Sequence, residues 1–206
     1  MRRVNVVGTS GSGKTTYGAE LARRLGVPHV ELDALSWEAN WVSVSPEVLR
    51  ERVARAVAPD AWVVDGNYSA TRDLVWARAD TVVWLDFPFA LVMWRVIVRT
   101  LRRSLRGEEL WSGNRESLRL ALSRDSIILW ALTTYHRRRR DYPRLFQEYP
   151  DVRFVRLRSP TQARRFLEAI APPAPAPTSA PRSRSARRRG GTPAGGTTTP
   201  GAPGRR

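Results

Sequence analysis

The segment comprising residues 8–15 restricts the fold of this chain more than any other part of the sequence. It has the pattern Gly-x-x-x-x-Gly-Lys-Thr and joins a short valine-rich run, residues 3–7, to a segment with helical periodicity, Lys14–Leu25. The run predicts a buried strand, and Gly26 and Pro28 predict the end of the helix. The sequence therefore predicts a strand, a glycine-rich turn and a helix in direct succession, which is a building unit of α/β folds.

The same segment predicts binding of a phosphate chain. Glycines let backbone amides curl around an anion, and a helix N-terminus attracts negative charge. Lys14 is the single lysine among 35 basic residues, and a compact ammonium on a flexible stem can lie along a row of phosphates. Thr15 follows at the position whose hydroxyl ligates Mg²⁺ in such loops. The predicted nucleotide contacts are Gly8, Thr9, Ser10, Gly11, Ser12, Gly13, Lys14, Thr15 and Thr16.

Length and composition predict one folded domain and a terminal tail. With 206 residues and 42% hydrophobic content, the chain can bury one sizeable core but not two ordinary domains. We expect residues 1–170 to form that domain. Residues 171–206 contain only Pro, Ala, Gly, Thr, Ser and Arg, so burial cannot offset their ordering entropy and we expect the tail to be disordered.

The positive charge is concentrated in two parts of the chain, whose formal net charge is +16. Residues 95–144 carry thirteen basic and five acidic side chains, and the tail carries seven arginines and no acidic residue. The tail could make weak, nonspecific contacts with nucleic acid, and a solvated biased terminus is the alternative. The basic segment at residues 95–144 would follow the fourth strand of a nucleotide-binding sheet.

Several classes of site are excluded or disfavoured by composition. Cysteine is absent, which excludes disulfides and cysteine-ligated metals, and two histidines are too few for a histidine-rich metal site. The sequence starts directly with the first strand, and its longest apolar stretches are too short to span a membrane. We expect a soluble, cytoplasmic monomer that does not bind membranes.

Strands and helices alternate through the rest of the domain. Further strands are predicted at residues 27–32, 61–64, 81–85 and 153–157. Further helices are predicted to begin at Pro46, Pro88, Arg115 and Pro160, the last after the capping box of residues 159–162. This alternation predicts a three-layer α/β fold, in which helices cover both faces of a five-stranded parallel sheet.

Three of the predicted strands end in aspartate, at the edge of the sheet where such folds bind ligands. Asp65 is the best candidate to hold Mg²⁺ with Thr15, with a turn-capping role as the alternative. Asp33 is a candidate general base or acceptor contact, with an ordinary loop aspartate as the alternative. Asp86 could join the metal shell or cap the helix that begins at Pro88.

These motifs resemble two groups of proteins over about residues 3–170. The loop at residues 8–15, Val64-Asp65-Gly66, and Asp86-Phe87-Pro88 followed by Arg95-x-x-x-Arg99 resemble the adenylate kinase and shikimate kinase group of small P-loop kinases. More narrowly, Leu32-Asp33-Ala34-Leu35-x-Trp37, Asp65-Gly66-Asn67-Tyr68 and Gly113-Asn114-Arg115-Glu116 resemble adenylate-kinase-related DNA topology modulation proteins.

The resemblance to the kinase group implies a P-loop NTPase fold, ATP and Mg²⁺ as ligands, a substrate region between strands two and three, and a short arginine-rich lid after strand four. It implies that Lys14 neutralises the β- and γ-phosphates and that Thr15 and Asp65 place Mg²⁺. Arg95 would stack near the ATP base and Arg99 would reach the phosphates. Together with the interpretation of the strand ends, this predicts Lys14, Asp33, Arg99 and Arg103 as the catalytic residues.

The roles of the other arginines and of two tryptophans can each be interpreted in two ways. The further lid candidates Arg103, Arg106, Arg115 and Arg119 are either phosphate contacts or solvated charges on a helix face. The run at residues 137–140 cannot all face one site, because consecutive helical residues point about 100° apart. Trp37 and Trp41 either stack on a bound acceptor or pack locally.

The acceptor is where this sequence departs from adenylate kinases. In those enzymes Gly-Phe-Pro-Arg follows the Asp-Gly of strand three, whereas here Asn67-Tyr68-Ser69 follows Asp65-Gly66. The arginine for the acceptor phosphate is thus missing at its usual place. Arg72 could substitute for it, and AMP is not the expected acceptor.

We predict an ATP-dependent kinase acting on a nucleotide or small hydroxylated metabolite held near Asp33 and Asn67, with simple ATP hydrolysis still open. The alternative is a nucleotide-gated regulatory or nucleic-acid-associated protein with little turnover.

Overall fold

Five parallel strands form a single sheet in the computed structural model, which describes residues 1–106, 109–114 and 127–170. The spatial order is β2-β3-β1-β4-β5, which confirms the predicted α/β fold of the P-loop NTPase type. The strands are β1 Arg3–Gly8, β2 His29–Glu31, β3 Trp62–Asp65, β4 Thr81–Leu85 and β5 Arg153–Leu157. The predictions for the tail at 171–206 and for Arg115 and Arg119 lie outside the described residues.

Seven α-helices connect or flank the strands in the described part of the chain. They are α1 Lys14–Leu25, α2 Leu32–Ser36, α3 Pro46–Ala56, α4 Arg72–Trp76, α5 Phe89–Arg106, α6 Ile127–Gln147 and α7 Pro160–Glu168. Short 3₁₀ turns lie at Ala39–Trp41, Ser69–Thr71 and Trp111–Gly113. None of the helices described is long and apolar enough to cross a lipid bilayer.

Local sequence signals explain where several helices begin and end. The Ser45 hydroxyl accepts a hydrogen bond from Val48 N at the start of α3, and the Ser159 hydroxyl does the same for Gln162 N in α7, as the capping residues predict. Strand β2 is shorter than predicted because the first predicted residue bonds back to the end of α1 and the last one belongs to α2. Val27 N bonds to Ala22 O behind α1, and Leu32 already belongs to α2.

The sheet separates two hydrophobic cores, as the alternation of side chains along each strand requires. On one face, Trp62, Trp76 and Trp84 pack with residues of α3 and the end of α6. On the other face, Val4, Val6 and their neighbours pack with α1, α5 and α7. Helix α6 contributes Tyr142 to the first core and Tyr135 to the second, so it passes both sides of the sheet near the phosphate-binding loop.

Candidate nucleotide-binding site

The loop between β1 and α1 has the backbone conformation that its glycines allow. Gly11 and Gly13 have φ of 82° and 89°, in the left-handed region, and Gly13 is the N-cap of α1. A Cβ on Gly11 would lie 2.8 Å from Val92 O and in collision with the Val96 side chain. The loop therefore packs directly against α5, and only glycine fits at that contact.

The beginning of the loop is fastened by Asn67, just after β3. Gly8 N donates to Asn67 Oδ1 at 2.9 Å, and Asn67 Nδ2 donates back to Gly8 O. Tyr142 of α6 donates its hydroxyl to the same Oδ1 at 3.1 Å. The sequence placed Asn67 near the acceptor; in the structure its amide joins the loop, β3 and α6 to one another.

Lys14 lies at the centre of a group of charged side chains from distant parts of the chain. Burial lowers its pKa to about 8, the carboxylates of Asp33 and Asp65 oppose that shift, and the guanidinium groups of Arg138 and Arg99 add to it. All four groups therefore lie within electrostatic range of the lysine ammonium. The loop lysine is thus surrounded by the groups that phosphate chemistry uses.

Thr15 and Asp65 form the candidate metal site. The Thr15 hydroxyl donates to Asp65 Oδ1 at 3.2 Å, and His29 Nε2 lies 2.8 Å from Asp65 Oδ2. Asp65 is only 2% exposed. One carboxylate and one hydroxyl oxygen suit Mg²⁺, which binds through few protein oxygens together with waters and substrate phosphates. Among the described residues, no cluster of three or more acidic or histidine side chains forms a metal cage.

Asp33 lies in the short helix α2 rather than in a loop. Tyr68 donates its hydroxyl to Asp33 Oδ1 at 2.7 Å. Burial raises the pKa of Tyr68, and the charge of Asp33 raises it further, so the phenol stays a donor at neutral pH. Tyr68 follows Asn67 directly in the chain, which means that one short segment orients both the loop and the candidate base.

The arginines of α5 differ in how they relate to the loop. Arg95 Nη1 approaches Ser12 O at 3.4 Å, and its guanidinium lies 5.6 Å from the Phe87 ring centroid. Arg99 lies within electrostatic range of Lys14. Arg103 is half-buried and Arg106 is exposed, and their roles remain predictions.

Arg138 is a candidate site residue that the sequence reasoning did not single out. It belongs to the run of four arginines at residues 137–140, and its Nη1 donates to Thr134 Oγ1 at 2.9 Å. The buried residues of α6 are Ala131, Thr134, Tyr135 and Tyr142. Their spacing of three, one and seven marks one helix face, and position 138 is the arginine on that face. That periodicity was the signal that could have identified it.

Asp86 belongs to an ion-pair cluster. Arg139 Nε lies 2.9 Å from one of its carboxylate oxygens, and Arg156 Nη2 lies 2.6 Å from the other. Arg156 also lies over the Trp84 ring, 4.4 Å from its centroid. Both oxygens of Asp86 are therefore engaged by arginines, and the two roles suggested for it from the sequence stay predictions. Asp65 is the strand-end carboxylate that contacts Thr15.

A cavity of about 390 Å³ opens between α6 and the segment that follows β3. Four of the side chains that line it are arginines, and two are acidic. The arginines are Arg72, Arg137, Arg138 and Arg144. Burial lowers the pKa of Arg138, and the charges of Arg137 and Arg72 act in the same direction. Asn67 also lines this cavity and bonds to Gly8, so the cavity lies beside the beginning of the phosphate-binding loop.

Trp37 and Trp41 pack edge to face with their ring centroids 5.6 Å apart. This contact fits the local-packing interpretation of the two tryptophans. It forms part of a larger contact with residues 109–114.

Sequence and structure comparisons agree with a P-loop NTPase domain. Residues 4–71 match the sequence model of the ATPase family associated with various cellular activities (AAA), which covers the first third of the chain. No curated protein sequence matches the chain significantly.

Two solved structures share the fold at low sequence identity. Shikimate kinase from Acinetobacter baumannii in complex with shikimate has a TM-score of 0.52 and 18% identity over 82% of this chain and 90% of that chain. Shikimate kinase from Bacteroides thetaiotaomicron has a TM-score of 0.50 and 15% identity over 82% of this chain and 95% of that chain. These likenesses cover most of this chain and nearly all of each neighbour, and they establish a common fold.

Proposed function

We propose that this protein is an ATP-dependent phosphotransferase whose acceptor carries an anionic group. The observation that supports this most directly is that two carboxylates and two guanidinium groups, those of Asp33, Asp65, Arg99 and Arg138, lie within electrostatic range of Lys14 and shift its pKa. Phosphoryl transfer is catalysed mainly by positioning and by neutralising negative charge, and this arrangement supplies both. The kinase fold of the two structural neighbours agrees with the proposal without establishing it.

On the nucleotide side, the loop amides and Lys14 would hold the β- and γ-phosphates. Arg95 and Arg99, on the face of α5 that meets the loop, would reach the nucleotide. Thr15 and Asp65 would hold Mg²⁺, which neutralises phosphate charge when it is bound. Lys14 would be fully protonated beside phosphate, because an adjacent anion favours its charged form.

On the acceptor side, the arginine-lined cavity indicates the chemistry of the substrate. Arginine presents paired donors that match a carboxylate or phosphate, and Arg72 and Arg138 line this space together. Arg72 would take the role of the acceptor arginine that adenylate kinases carry nearer to strand three. The proposed acceptor is therefore a small phosphorylated or carboxylated molecule.

The proposed reaction is an in-line transfer. An acceptor oxygen forms a bond to the γ-phosphorus as the bond to the bridging oxygen breaks, and ADP leaves. If the acceptor group is a hydroxyl, Asp33 accepts its proton; if it is a phosphate, no proton has to move. Tyr68 already donates to Asp33 Oδ1, which orients the carboxylate and leaves its second oxygen able to accept that proton.

The test is ADP release from ATP and Mg²⁺ by the full chain in the presence of paired acceptors. Each pair should differ only in its anionic group, for example a nucleoside with its monophosphate, or a neutral polyol with the matching hydroxy acid. Lys14→Ala is the blank. We expect at least one anionic acceptor to stimulate ADP release while its neutral counterpart does not.

A second variant connects that stimulation to the cavity. Arg72→Ala should raise the KM for the anionic acceptor about tenfold or more, which corresponds to loss of a charge-assisted hydrogen bond, with ATP affinity preserved. Arg78→Ala is a matched control, because Arg78 is half-buried like Arg72, does not line the cavity, and bonds through its guanidinium to Ala58 O. Slow ADP release that no acceptor changes would contradict the proposed phosphotransferase.

A further inference from the structure

Two segments that are far apart in the sequence are locked together beside the site. The connecting segment, residues 109–114, follows α5, and the aromatic loop, residues 37–44, follows α2. Asn114 lies between them and is 4% exposed. Trp41 N donates to Asn114 Oδ1 at 2.7 Å, so one side chain of the connecting segment holds the backbone of the aromatic loop.

Both the oxygen and the nitrogen of the Asn114 side-chain amide form hydrogen bonds. Asn114 Nδ2 donates to Glu38 O at 2.8 Å and to Trp111 O at 2.9 Å. An amide side chain is both acceptor and donor, and a neutral apolar side chain of the same size could replace neither set of bonds. This buried amide therefore specifies how the two segments fit.

Two further side-chain bonds reinforce the contact. The Ser112 hydroxyl donates to Trp37 O at 2.9 Å, and Trp111 Nε1 donates to Glu31 Oε2 at 3.0 Å. Glu31 is the last residue of β2, directly before α2. The connecting segment is thus fixed to the aromatic loop and to the strand that leads to Asp33.

The backbone at this contact is strained on both sides. Asn40, Trp41 and Ser112 have φ of 60°, 57° and 57°, and the left-handed region is disfavoured for a bulky residue such as tryptophan. Such conformations persist where the surroundings hold them. The strained residue Trp41 is the one whose amide Asn114 binds.

We propose that Asn114 is a positioning residue that couples the end of α5 to the Asp33 side of the site. The aromatic loop keeps its strained conformation only while the connecting segment is docked through Asn114. Since Arg95 and Arg99 lie on α5 and Asp33 lies on α2, the contact makes the arrangement of the acceptor side depend on the segment that follows the nucleotide-binding helix. The contact between the connecting segment and the aromatic loop is observed directly in the structure. Its effect on acceptor binding rests on the proposed function.

The first test measures amide hydrogen exchange by mass spectrometry on the full chain without nucleotide. Asn114→Ala should accelerate exchange in peptides covering residues 37–44 about tenfold or more, as loss of a buried hydrogen-bond partner implies, while peptides from β1 and β4 stay protected. Asn114→Asp keeps an acceptor for Trp41 N and should have a smaller effect. Thr133→Ala, which removes an exposed hydroxyl bonded within α6, is the control and should change nothing.

Unchanged exchange at residues 37–44 in Asn114→Ala would overturn the coupling. If that variant exchanges rapidly throughout and is therefore unfolded, Asn114→Asp and Ser112→Ala provide the same comparison with smaller losses; they must still accelerate exchange selectively at residues 37–44, or the inference fails.

A second measurement tests the consequence for the acceptor. Once an acceptor is known, Asn114→Ala should raise the acceptor KM several-fold, with the nucleotide dissociation constant changed less than about twofold. An unchanged acceptor KM would overturn the role in the site even if the exchange result holds. If the protein has no phosphotransferase activity, the exchange experiment still decides whether the two segments are coupled, so failure of the proposed function and failure of this inference can be told apart.

Discussion

His29 Nε2 lies 2.8 Å from Asp65 Oδ2, while the other oxygen of the same carboxylate accepts the Thr15 hydroxyl bond at 3.2 Å. His29 is on β2 and Asp65 ends the neighbouring strand β3, with Glu31 paired to Asp65 in the sheet register. The histidine approaches Gly18 of α1 so closely that a Cβ there would lie 2.8 Å from its ring nitrogen. The imidazole therefore fills the space between sheet and helix, where it fixes the orientation of the candidate metal ligand.

Removal of that imidazole should weaken metal binding. We expect His29→Ala to raise the Mg²⁺ concentration needed for tight nucleotide binding by about tenfold or more, the usual cost of losing a group that orients a metal ligand. The measurement is a Mg²⁺ titration of fluorescent-nucleotide binding, which needs no turnover. His136→Ala on the exposed side of α6 is the matched control. Equal Mg²⁺ requirements in the two variants would contradict a positioning role for His29.

The pH dependence of nucleotide binding should report Lys14. Burial lowers the pKa of Lys14 to about 8, so the ammonium is present below that pH and is lost above it. Because the charged form binds phosphate, the affinity for ADP without divalent cations should fall about tenfold between about pH 7.5 and about pH 9. Calorimetric titrations across this range provide the measurement.

Lys14→Ala is the control for that titration. It should bind ADP more weakly, with little change in affinity across the same pH range. A wild-type affinity that stays constant through pH 9, or an identical decline in both proteins, would show that Lys14 does not carry the effect.

The sequence predicted the fold well because the fold depends on local patterns. The glycine-rich turn between a valine-rich strand and a helix, followed by alternating strands and helices, was sufficient for the five-stranded parallel sheet. The same patterns placed Asp65 at a strand end. The fold brings it to Thr15 because β1 and β3 are neighbours in the sheet.

The sequence did not reveal contacts that depend on long-range packing. Arg138 and Arg139 are adjacent in the chain, yet Arg138 lines the cavity and Arg139 pairs with Asp86, since consecutive residues occupy different faces of α6. The bond between Asn114 and Trp41 joins residues 73 positions apart. Helical periodicity could have indicated the face of Arg138, but neither residue type nor spacing encodes the bond between Asn114 and Trp41.

Two glycines of the phosphate-binding loop should differ sharply in how they tolerate alanine. Both have positive φ, so each substitution incurs the left-handed penalty of about 1–2 kcal/mol. A Cβ on Gly13 meets nothing closer than Arg95 Nη1 at 3.9 Å, whereas one on Gly11 collides with α5. Overpacking adds about 1–3 kcal/mol, so Gly11→Ala should lower the free energy of unfolding by that much more than Gly13→Ala.

Urea unfolding of the nucleotide-free protein measures this difference. The comparison is internal, because both changes add one methyl group to the same loop at nearly the same φ. If the two variants had equal stability, the close packing of the loop on α5 would be incorrect.

Substitution of the two strand-end aspartates should have different effects: loss of Asp65 should weaken Mg²⁺ binding, and loss of Asp86 should lower the stability of the fold. Asp65→Asn keeps the shape of the side chain but removes the charge beside Thr15, and we expect the Mg²⁺ requirement for nucleotide binding to rise about tenfold or more. Asp86→Asn leaves Arg139 and Arg156 without their counter-charge. Breaking a buried pair costs about 3–5 kcal/mol, and because both arginines are partly exposed we expect a loss of about 2–3 kcal/mol in unfolding free energy.

These two variants exchange the same atoms at equivalent ends of strands that flank β1, so each serves as the control for the other. Mg²⁺ titration of nucleotide binding and urea unfolding should both be measured on each protein. Asp86→Asn should leave the Mg²⁺ requirement within about twofold of the wild type, because its partners are arginines and a metal ion would compete with them for the same oxygens. The reverse result, a Mg²⁺ defect in Asp86→Asn and none in Asp65→Asn, would move the metal site from β3 to β4 and remove the role assigned to His29.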